Sequence, residues 1–123
     1  MLGRERLMAF GATRDGARAR EFYEQTLGLS LISEDNFAVV LDANGTMLRL
    51  QKVETFTPSP FTALGWEVSN IRAAVSELVS RGVTFQKYPW MDQDELGIWS
   101  SPSGARVAWF RDPDGNTLSL TEF

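Results

Sequence analysis

The sequence contains no cysteine and no histidine among its 123 residues. Without cysteine, disulfide bonds, thiolate metal sites and cysteine nucleophiles are excluded. Without histidine, the commonest general base and the commonest metal ligand of proteins are missing as well. Any chemistry of the chain must therefore come from carboxylates, hydroxyls, amides, guanidinium groups or a bound cofactor.

Long apolar runs and clusters of basic residues are also absent. No stretch approaches the about 20 apolar residues that span a bilayer, and residues 1–7 are charged rather than apolar. The net charge is −4, and the 12 lysines and arginines are scattered along the chain. This pattern predicts neither a membrane-binding helix nor a nucleic-acid surface. We expect a soluble cytoplasmic protein with no membrane and no nucleic-acid partner.

One motif occurs twice in the chain. Residues 42–50, with the sequence DANGTMLRL, return as residues 112–120, with the sequence DPDGNTLSL. Each copy indicates a turn followed by an alternating strand, because Asn-Gly and Pro-Asp-Gly are strong turn signals. We interpret the acidic residues of residues 112–116 as turn formers rather than as catalytic groups. Such a repeat predicts two copies of one supersecondary unit, with a site where paired units meet.

The hydrophobic periodicity predicts the same order of elements, β-α-β-β-β, in each half. The helices are predicted over residues 16–26 and 71–81, the first capped by Asp15 and the second by Asn70 or Ser69, and each is ended by a glycine. The predicted strands are residues 7–13, 29–33, 37–41, 46–53, 63–68, 83–86, 106–110 and 116–121. This is a single domain, residues 1–123, of two βαβββ modules, at about residues 5–54 and 61–123. The second module contains an insertion, residues 87–104, of a length that is often functional or mobile.

Several segments together carry a family resemblance. They are Glu21-Phe22-Tyr23, Leu27-Gly28-Leu29, Trp66-Glu67-Val68, Gly82-Val83 and the segment 110–118. With them the sequence resembles, over essentially its whole length, the vicinal oxygen chelate superfamily of glyoxalases, bleomycin-resistance proteins and extradiol dioxygenases. The resemblance implies an α+β fold in which two βαβββ modules form a curved mixed sheet, with helices outside and a concave ligand face. It also implies a homodimer.

The resemblance further implies a divalent metal, held by one residue from the first and one from the last strand of each module. The matching positions in this sequence are Met8, Arg49, Ala63 and Ser119. Arginine is a permanent cation, methionine is a soft ligand and alanine has no donor atom. We therefore expect no metal ion and no other cofactor.

Strand alternation predicts which residues face the concave side. A mostly apolar surface with a few polar groups is typical of a ligand pocket. The predicted ligand-binding residues are Met8, Phe10, Met47, Arg49, Gln51, Glu67, Ser119 and Thr121, joined by Trp90 and Trp99 from the insertion. Arg49 either anchors an anion through its guanidinium fork or forms an internal ion pair with Glu67.

The insertion is rich in aromatic and acidic residues. Tyr88, Trp90 and Trp99 either form a lid that stacks on a flat ligand or complete the core or a dimer interface. The acidic residues Asp92, Asp94 and Glu95 lack the glycine and spacing of a calcium loop, which indicates a solvated acidic face.

Four functions follow from these features. We favour a metal-free protein that binds a small organic molecule in its cavity, like the drug-sequestering members of the superfamily. The alternatives are a metal-dependent lyase, isomerase or dioxygenase, and a structural domain whose cavity is filled. A metal-free enzyme is the fourth, with Glu67 as the base if it is buried and Arg49 as the electrophile.

Overall fold

The first half of the chain folds around a four-stranded mixed sheet. The computed structural model describes all 123 residues and divides them into two compact units, Met1–Thr57 and Pro58–Phe123. In the first unit the strand order is β1-β4-β3-β2, with β1 and β4 parallel and the other neighbours antiparallel. The strands are β1 (Met8–Thr13), β2 (Ser30–Glu34), β3 (Ala38–Ala43) and β4 (Thr46–Lys52).

The helix of the first unit changes its winding half-way. It begins as α1 (Gly16–Arg20) and continues as a π-helical segment over Glu21–Thr26. The N–H of Leu27 donates to the carbonyl of Phe22, five residues earlier, which is the π-helical spacing. The predicted helix is therefore present over its predicted length, but it is not α-helical throughout. A short 3₁₀ turn, Leu2–Arg4, precedes β1.

The second half repeats this strand order. Its strand order is β5-β8-β7-β6, with β5 and β8 parallel and β7 antiparallel to both of its neighbours. The elements are β5 (Thr62–Glu67), α2 (Ile71–Ser80), β6 (Trp99–Ser100), β7 (Arg106–Arg111) and β8 (Thr117–Glu122). The α+β class with two βαβββ modules is thus confirmed. No helix of the chain is both long enough and apolar enough to cross a bilayer.

One predicted strand of the second module is wrong. Residues 83–86 contribute only an isolated bridge between Phe85 and Phe110, and the second strand of this module is β6, inside the insertion. The backbone carbonyl of Gln86 accepts a hydrogen bond from the side chain of Gln93. Because a side chain takes this carbonyl, the strand pairing ends there and the chain turns into the insertion.

Both helices begin and end as their sequences predict. The Asp15 carboxylate accepts from the N–H of Arg18 at 3.2 Å, and the Asn70 side-chain oxygen accepts from the N–H of Ala73 at 3.1 Å. After the helices, Gly28 and Gly82 adopt φ angles of +81° and +94°, which glycine accepts without steric cost. The two modules therefore share their capping chemistry as well as their order of elements.

Each sheet buries one face against its own helix. In the first unit Leu48 and Leu50 are at most 2% exposed, and α1 contacts β3 and β4. In the second unit α2 contacts β7 and β8, and Leu118 and Leu120 are buried in the same way. These leucines alternate with residues that are predicted to face the concave side, so they lie on the opposite, helix-packing faces. The residues that alternate with them lie on the opposite face of each sheet.

An ion-pair cluster on the first unit makes stability depend on pH. Lys52 Nζ donates to Glu34 Oε2 at 2.7 Å, and this hydrogen bond is the main reason why the pKa of Glu34 lies below its usual value of 4.5; Arg20 adds to the effect. A carboxyl whose pKa is lower in the folded state stabilises the fold above its unfolded pKa. That contribution is lost as the pH falls through the folded pKa.

We therefore expect the free energy of unfolding in urea to decline as the pH is lowered from about 5. The decline should be shallower in Glu34→Gln, which cannot ionise. Glu54→Gln serves as the control, since Glu54 is exposed and forms no ion pair. Equal slopes for the two variants would contradict the assignment.

Candidate functional site

The open face of the second sheet carries a row of large and polar side chains. Because residues alternate along β7, Trp109 and Arg111 share this face. The register places Trp109 opposite Ser119 and Arg111 opposite Thr117. Thr62, which pairs with Thr117 from the other side, accepts a hydrogen bond from Trp109 Nε1 at 3.2 Å. The indole ring is thereby fixed across the strands.

Four aromatic rings form a continuous series on this face, which we call the aromatic array. It runs from Trp90 to Tyr88, then to Trp109 and to Trp99, with ring centroids 5.0, 6.0 and 6.1 Å apart. These separations are those of interacting aromatic pairs. Trp109 lies on β7, whereas Tyr88, Trp90 and Trp99 belong to the insertion, Trp99 on its short strand β6. The insertion therefore lies against the open face of its own sheet.

A pocket of about 620 Å³ opens beside the aromatic array, within the second unit. Phe61 and the segment 58–60 form one wall, Trp90 and Met91 form another, and Trp109 and Thr117 contribute from the sheet. This volume falls within the range of about 300 to 1,000 Å³ that is typical of small-molecule sites. Trp90 is 76% exposed and Phe61 is 66% exposed, so the walls present unusually large apolar surfaces to solvent.

The pocket has a single charged lining residue, Arg111. Its side chain is exposed and has no ion-pair partner. The other polar groups of the lining include the hydroxyls of Thr62 and Thr117, the two residues aligned with Arg111 across the strands. The electrostatic character of the pocket is therefore cationic, although the chain as a whole is acidic.

The side chain of Gln93 holds the insertion in its fold. Its Nε2 donates to the carbonyls of Gln86 at 3.0 Å and Gly97 at 2.9 Å. Its Oε1 accepts from the N–H of Tyr88 at 2.8 Å. One amide thus ties together both ends of the segment that carries Tyr88 and Trp90.

Two of the three acidic residues of the insertion form ion pairs at the surface, where Glu95 and Asp92 stay exposed. Arg72 of α2 contacts Asp94 at 3.2 Å and Glu95 at 2.9 Å. The hydrogen bond from Arg72 lowers the pKa of Glu95 and raises that of Arg72 itself. Asp94 also accepts from the N–H groups of Leu96 and Ile98. Asp94 and Glu95 therefore anchor the insertion to the helix.

The residues predicted for the first module share one face of its sheet. Met8 pairs with Met47, and Phe10 with Arg49, across the parallel strands. Gln51 follows on the same face of β4, opposite Ala12. Met8 is 43% exposed and Phe10 is 53% exposed. These residues line the open face of the first unit, as alternation predicts.

Arg49 is half-buried on β4. Its positive charge contributes to the lowered pKa of Asp35, although the hydrogen bonds from the backbone of Phe37 and Ala38 are the larger causes. The proposed ion pair of Arg49 with Glu67 would join the two units and stays a prediction.

The residues predicted for the second module occupy different environments. Glu67 pairs with Thr121 at the end of β5 and is exposed, so it lacks the buried setting expected of a general base. Ser119 is only 6% exposed, and a Cβ atom added to Gly65 would lie 2.7 Å from its hydroxyl. Trp99 belongs to the aromatic array. Among the predicted site residues, Trp90 is the one that lines the pocket.

Sequence reasoning missed Trp109, Arg111 and Thr62. The sequence does contain a pattern that indicates them: Val107, Trp109 and Arg111 are every second residue of the strand before the repeated turn, so they share one face of it. Extending the alternation from β8 to this neighbouring strand would have identified Trp109 and Arg111.

The residues at the metal-binding positions of the resemblance do not fit a divalent metal. Arg49 lies opposite Phe10 and Ser119 lies opposite Gly65, while Ala63 sits at an irregularity in the β5–β8 pairing. None of these, nor Met8, supplies a carboxylate or imidazole. No three acidic, cysteine or histidine side chains lie close enough together to hold a metal ion.

Two four-stranded βαβββ modules define the glyoxalase type of fold. A family model described as "Glyoxalase/Bleomycin resistance protein/Dioxygenase superfamily" matches residues 9–120. The chain belongs to this superfamily, and the resemblance found in its sequence is confirmed. A comparison with curated proteins finds no significant match.

Several solved structures are similar to nearly the whole chain. A superfamily member from Sphaerobacter thermophilus DSM 20745 is 29% identical, with a TM-score of 0.72, covering 96% of both chains. TnmS3, an antibiotic binding protein from Streptomyces sp. CB03234, is 23% identical, with a TM-score of 0.69, covering 96% of this chain and 94% of its own. Lactoylglutathione lyase from Agrobacterium tumefaciens is 14% identical, with a TM-score of 0.73, covering 94% and 91%. The last two likenesses concern the fold alone.

Proposed function

We propose that this protein binds a small organic molecule in the pocket beside the aromatic array and does so without a metal ion. The observation that carries the proposal is Trp90, a tryptophan left 76% exposed at the end of a packed series of rings and at the wall of a 620 Å³ pocket. Exposed aromatic surface of this kind marks sites where another molecule binds.

The composition of the pocket supports a ligand rather than packing alone. Its walls are aromatic or proline-rich, and its few polar groups lie together on the strands. Flat rings offer large contact area at low conformational cost, which favours planar ligands. TnmS3, which has the same fold, is an antibiotic binding protein, so the scaffold accommodates binding of an organic ligand in at least one relative.

Binding is favoured over catalysis because the pocket lacks an evident acid–base pair. Arg111 is its one charged residue, and Glu67 lies exposed on β5 outside the lining. A general base needs a position within hydrogen-bond reach of the proton it removes. The homodimer implied by the resemblance is part of the proposal, and sedimentation velocity tests it.

Replacing Trp90 by alanine tests the site. A thermal-shift screen of metabolites and planar antibiotics on the unaltered protein first identifies a ligand, because a ligand that binds only the folded state raises the melting temperature. We expect Trp90→Ala to weaken binding of that ligand about tenfold, through the loss of one stacked ring. Its melting temperature without ligand should change little, since the side chain is mostly exposed.

Phe37→Ala is the matched control. Phe37 is also 76% exposed, but it belongs to the first unit and is absent from the pocket lining. Replacing Phe37 by alanine should leave the affinity for the identified ligand unchanged. Equal affinity in Trp90→Ala and the unaltered protein would rule out this pocket as the binding site.

The metal-free part of the proposal has its own test. Elemental analysis of the purified protein should find no stoichiometric zinc, nickel, manganese or iron. The metal-free proposal would be contradicted if one of these metals were present at one equivalent per chain and ligand binding were lost after chelation.

A further inference from the structure

The charge of the pocket restricts the chemistry of its ligand. Resting on the proposed function, we infer that the ligand is a planar aromatic acid, a flat ring system that carries one carboxylate, with the carboxylate held by Arg111. Three features of the second unit lead to this inference: the isolated guanidinium, the hydroxyls aligned with it, and the rings beside it.

The guanidinium of Arg111 has no anionic partner within the protein. Arg72, the arginine that holds the insertion to α2, is by contrast paired with Asp94 and Glu95. The pocket lining contains no aspartate and no glutamate. An anion that enters therefore meets one positive charge and no opposing charge, and the guanidinium fork suits a carboxylate bidentately.

Two hydroxyls extend the anion site along the strands. Thr117 lies directly opposite Arg111, and Thr62 lies opposite Thr117 on the other side. Directly opposite residues have their Cβ atoms about 5 Å apart, so the three side chains form one row. The Thr62 hydroxyl oxygen accepts from Trp109 Nε1, which leaves its own proton free to donate. The row thus places two hydroxyl groups on the same face of the sheet as the guanidinium.

The rings set the shape of the remainder of the ligand. Trp109 shares a strand with Arg111, two residues away, and Trp90 forms part of the pocket wall. An acid bound at Arg111 would extend its ring system along these indole faces. One guanidinium neutralises one charge, so a monoanion fits better than a dianionic phosphate.

Calorimetric titrations with three matched probes test the inference: 2-naphthoate, its neutral analogue 2-naphthamide, and 2-naphthyl phosphate. We expect 2-naphthoate to bind about tenfold more tightly than 2-naphthamide, since a hydrogen bond to a charged group is stronger than one between neutral groups. The phosphate should bind more weakly than the carboxylate. In Arg111→Gln the affinity for 2-naphthoate should fall to that of 2-naphthamide, whose own affinity should not change.

Arg106→Gln is the control variant. Arg106 begins the same strand, alternates to the other face and pairs with Glu122 at 3.5 Å, so its loss changes the net charge equally without altering the pocket. Equal affinities for 2-naphthoate and 2-naphthamide would overturn the inference, as would an unchanged affinity for 2-naphthoate in Arg111→Gln. Neither result would contradict the proposed pocket. Tighter binding of the phosphate would overturn the choice of a carboxylate. If neither 2-naphthoate nor 2-naphthamide binds, both the proposed site for planar ligands and the inference are contradicted.

Discussion

Replacing Asp112 by alanine should lower the free energy of unfolding by about 3 kcal/mol, because three hydrogen-bond donors lose a charged acceptor. The Asp112 side chain is buried, with the residue 6% exposed. Its Oδ1 accepts from the N–H groups of Asp114 and Asn116, both at 2.9 Å, and its Oδ2 accepts from Asn116 Nδ2 at 2.8 Å. One carboxylate thus organises the whole turn between β7 and β8.

Two control variants separate this role from a general effect of the motif. Asp112→Asn keeps one acceptor oxygen and should cost about 1 kcal/mol, the worth of a single lost hydrogen bond. Asp42→Ala changes the same position of the first copy of the repeat, where the carboxylate bonds only the N–H of Gly45. Its cost should stay below about 1 kcal/mol. Urea unfolding followed by tryptophan fluorescence measures all three, and an Asp112→Ala loss no larger than that of Asp42→Ala would refute the assignment.

Gln93→Ala should release the segment that carries Tyr88 and Trp90. The substitution removes three hydrogen bonds from partly buried backbone groups, for an expected loss of about 2 kcal/mol of stability. Ligand affinity should fall about thirtyfold, because two aromatic side chains and their loop must then be ordered on binding. The effect on affinity should therefore exceed that of Trp90→Ala, although Gln93 is absent from the pocket lining.

Hydrogen exchange and calorimetry together check this second prediction. The amides of residues 86–97 should exchange faster in Gln93→Ala, while those of β7 and β8 stay protected. Gln86→Ala is the control: it removes the same kind of side chain from the same segment, whereas the bond from Gln93 uses the Gln86 carbonyl, which stays. Unchanged exchange in Gln93→Ala, or an equal affinity loss in Gln86→Ala, would show that Gln93 does not position the array.

The parts of the fold that are local in sequence were predictable. Helix caps depend on a few neighbouring residues, so Asp15 identified the first helix start, and the pair Ser69-Asn70 identified the second, where Asn70 is the cap. Strand alternation assigned Leu48 and Leu118 to the buried faces, because a one-residue shift would expose every apolar side chain. The strand at residues 83–86 was predicted wrongly, because the side chain of Gln93, seven residues after Gln86, takes the Gln86 carbonyl, which the strand's own pattern does not reveal.

The candidate site was predictable only in part. Trp90 was identified from its place in a long aromatic insertion, and it lines the pocket. Trp109 and Arg111 were not, because their importance depends on which strand lies beside β8 and on where the insertion folds back. A short window of sequence determines neither the strand that neighbours β8 nor the place where the insertion folds back.

The amino-acid sequence alone determined the two modules, their capped helices, their buried faces and the lack of metal ligands at the matched positions. These follow from periodicity, turn chemistry and side-chain type, which act over a few residues. Only the tertiary structure decided that the insertion turns onto its own sheet, that four rings meet there, and that Arg111 stands unpaired beside them. Those features arise from contacts between residues far apart in the chain, such as Arg72 with Glu95 and Trp109 with Thr62, whose energies depend on the packed geometry.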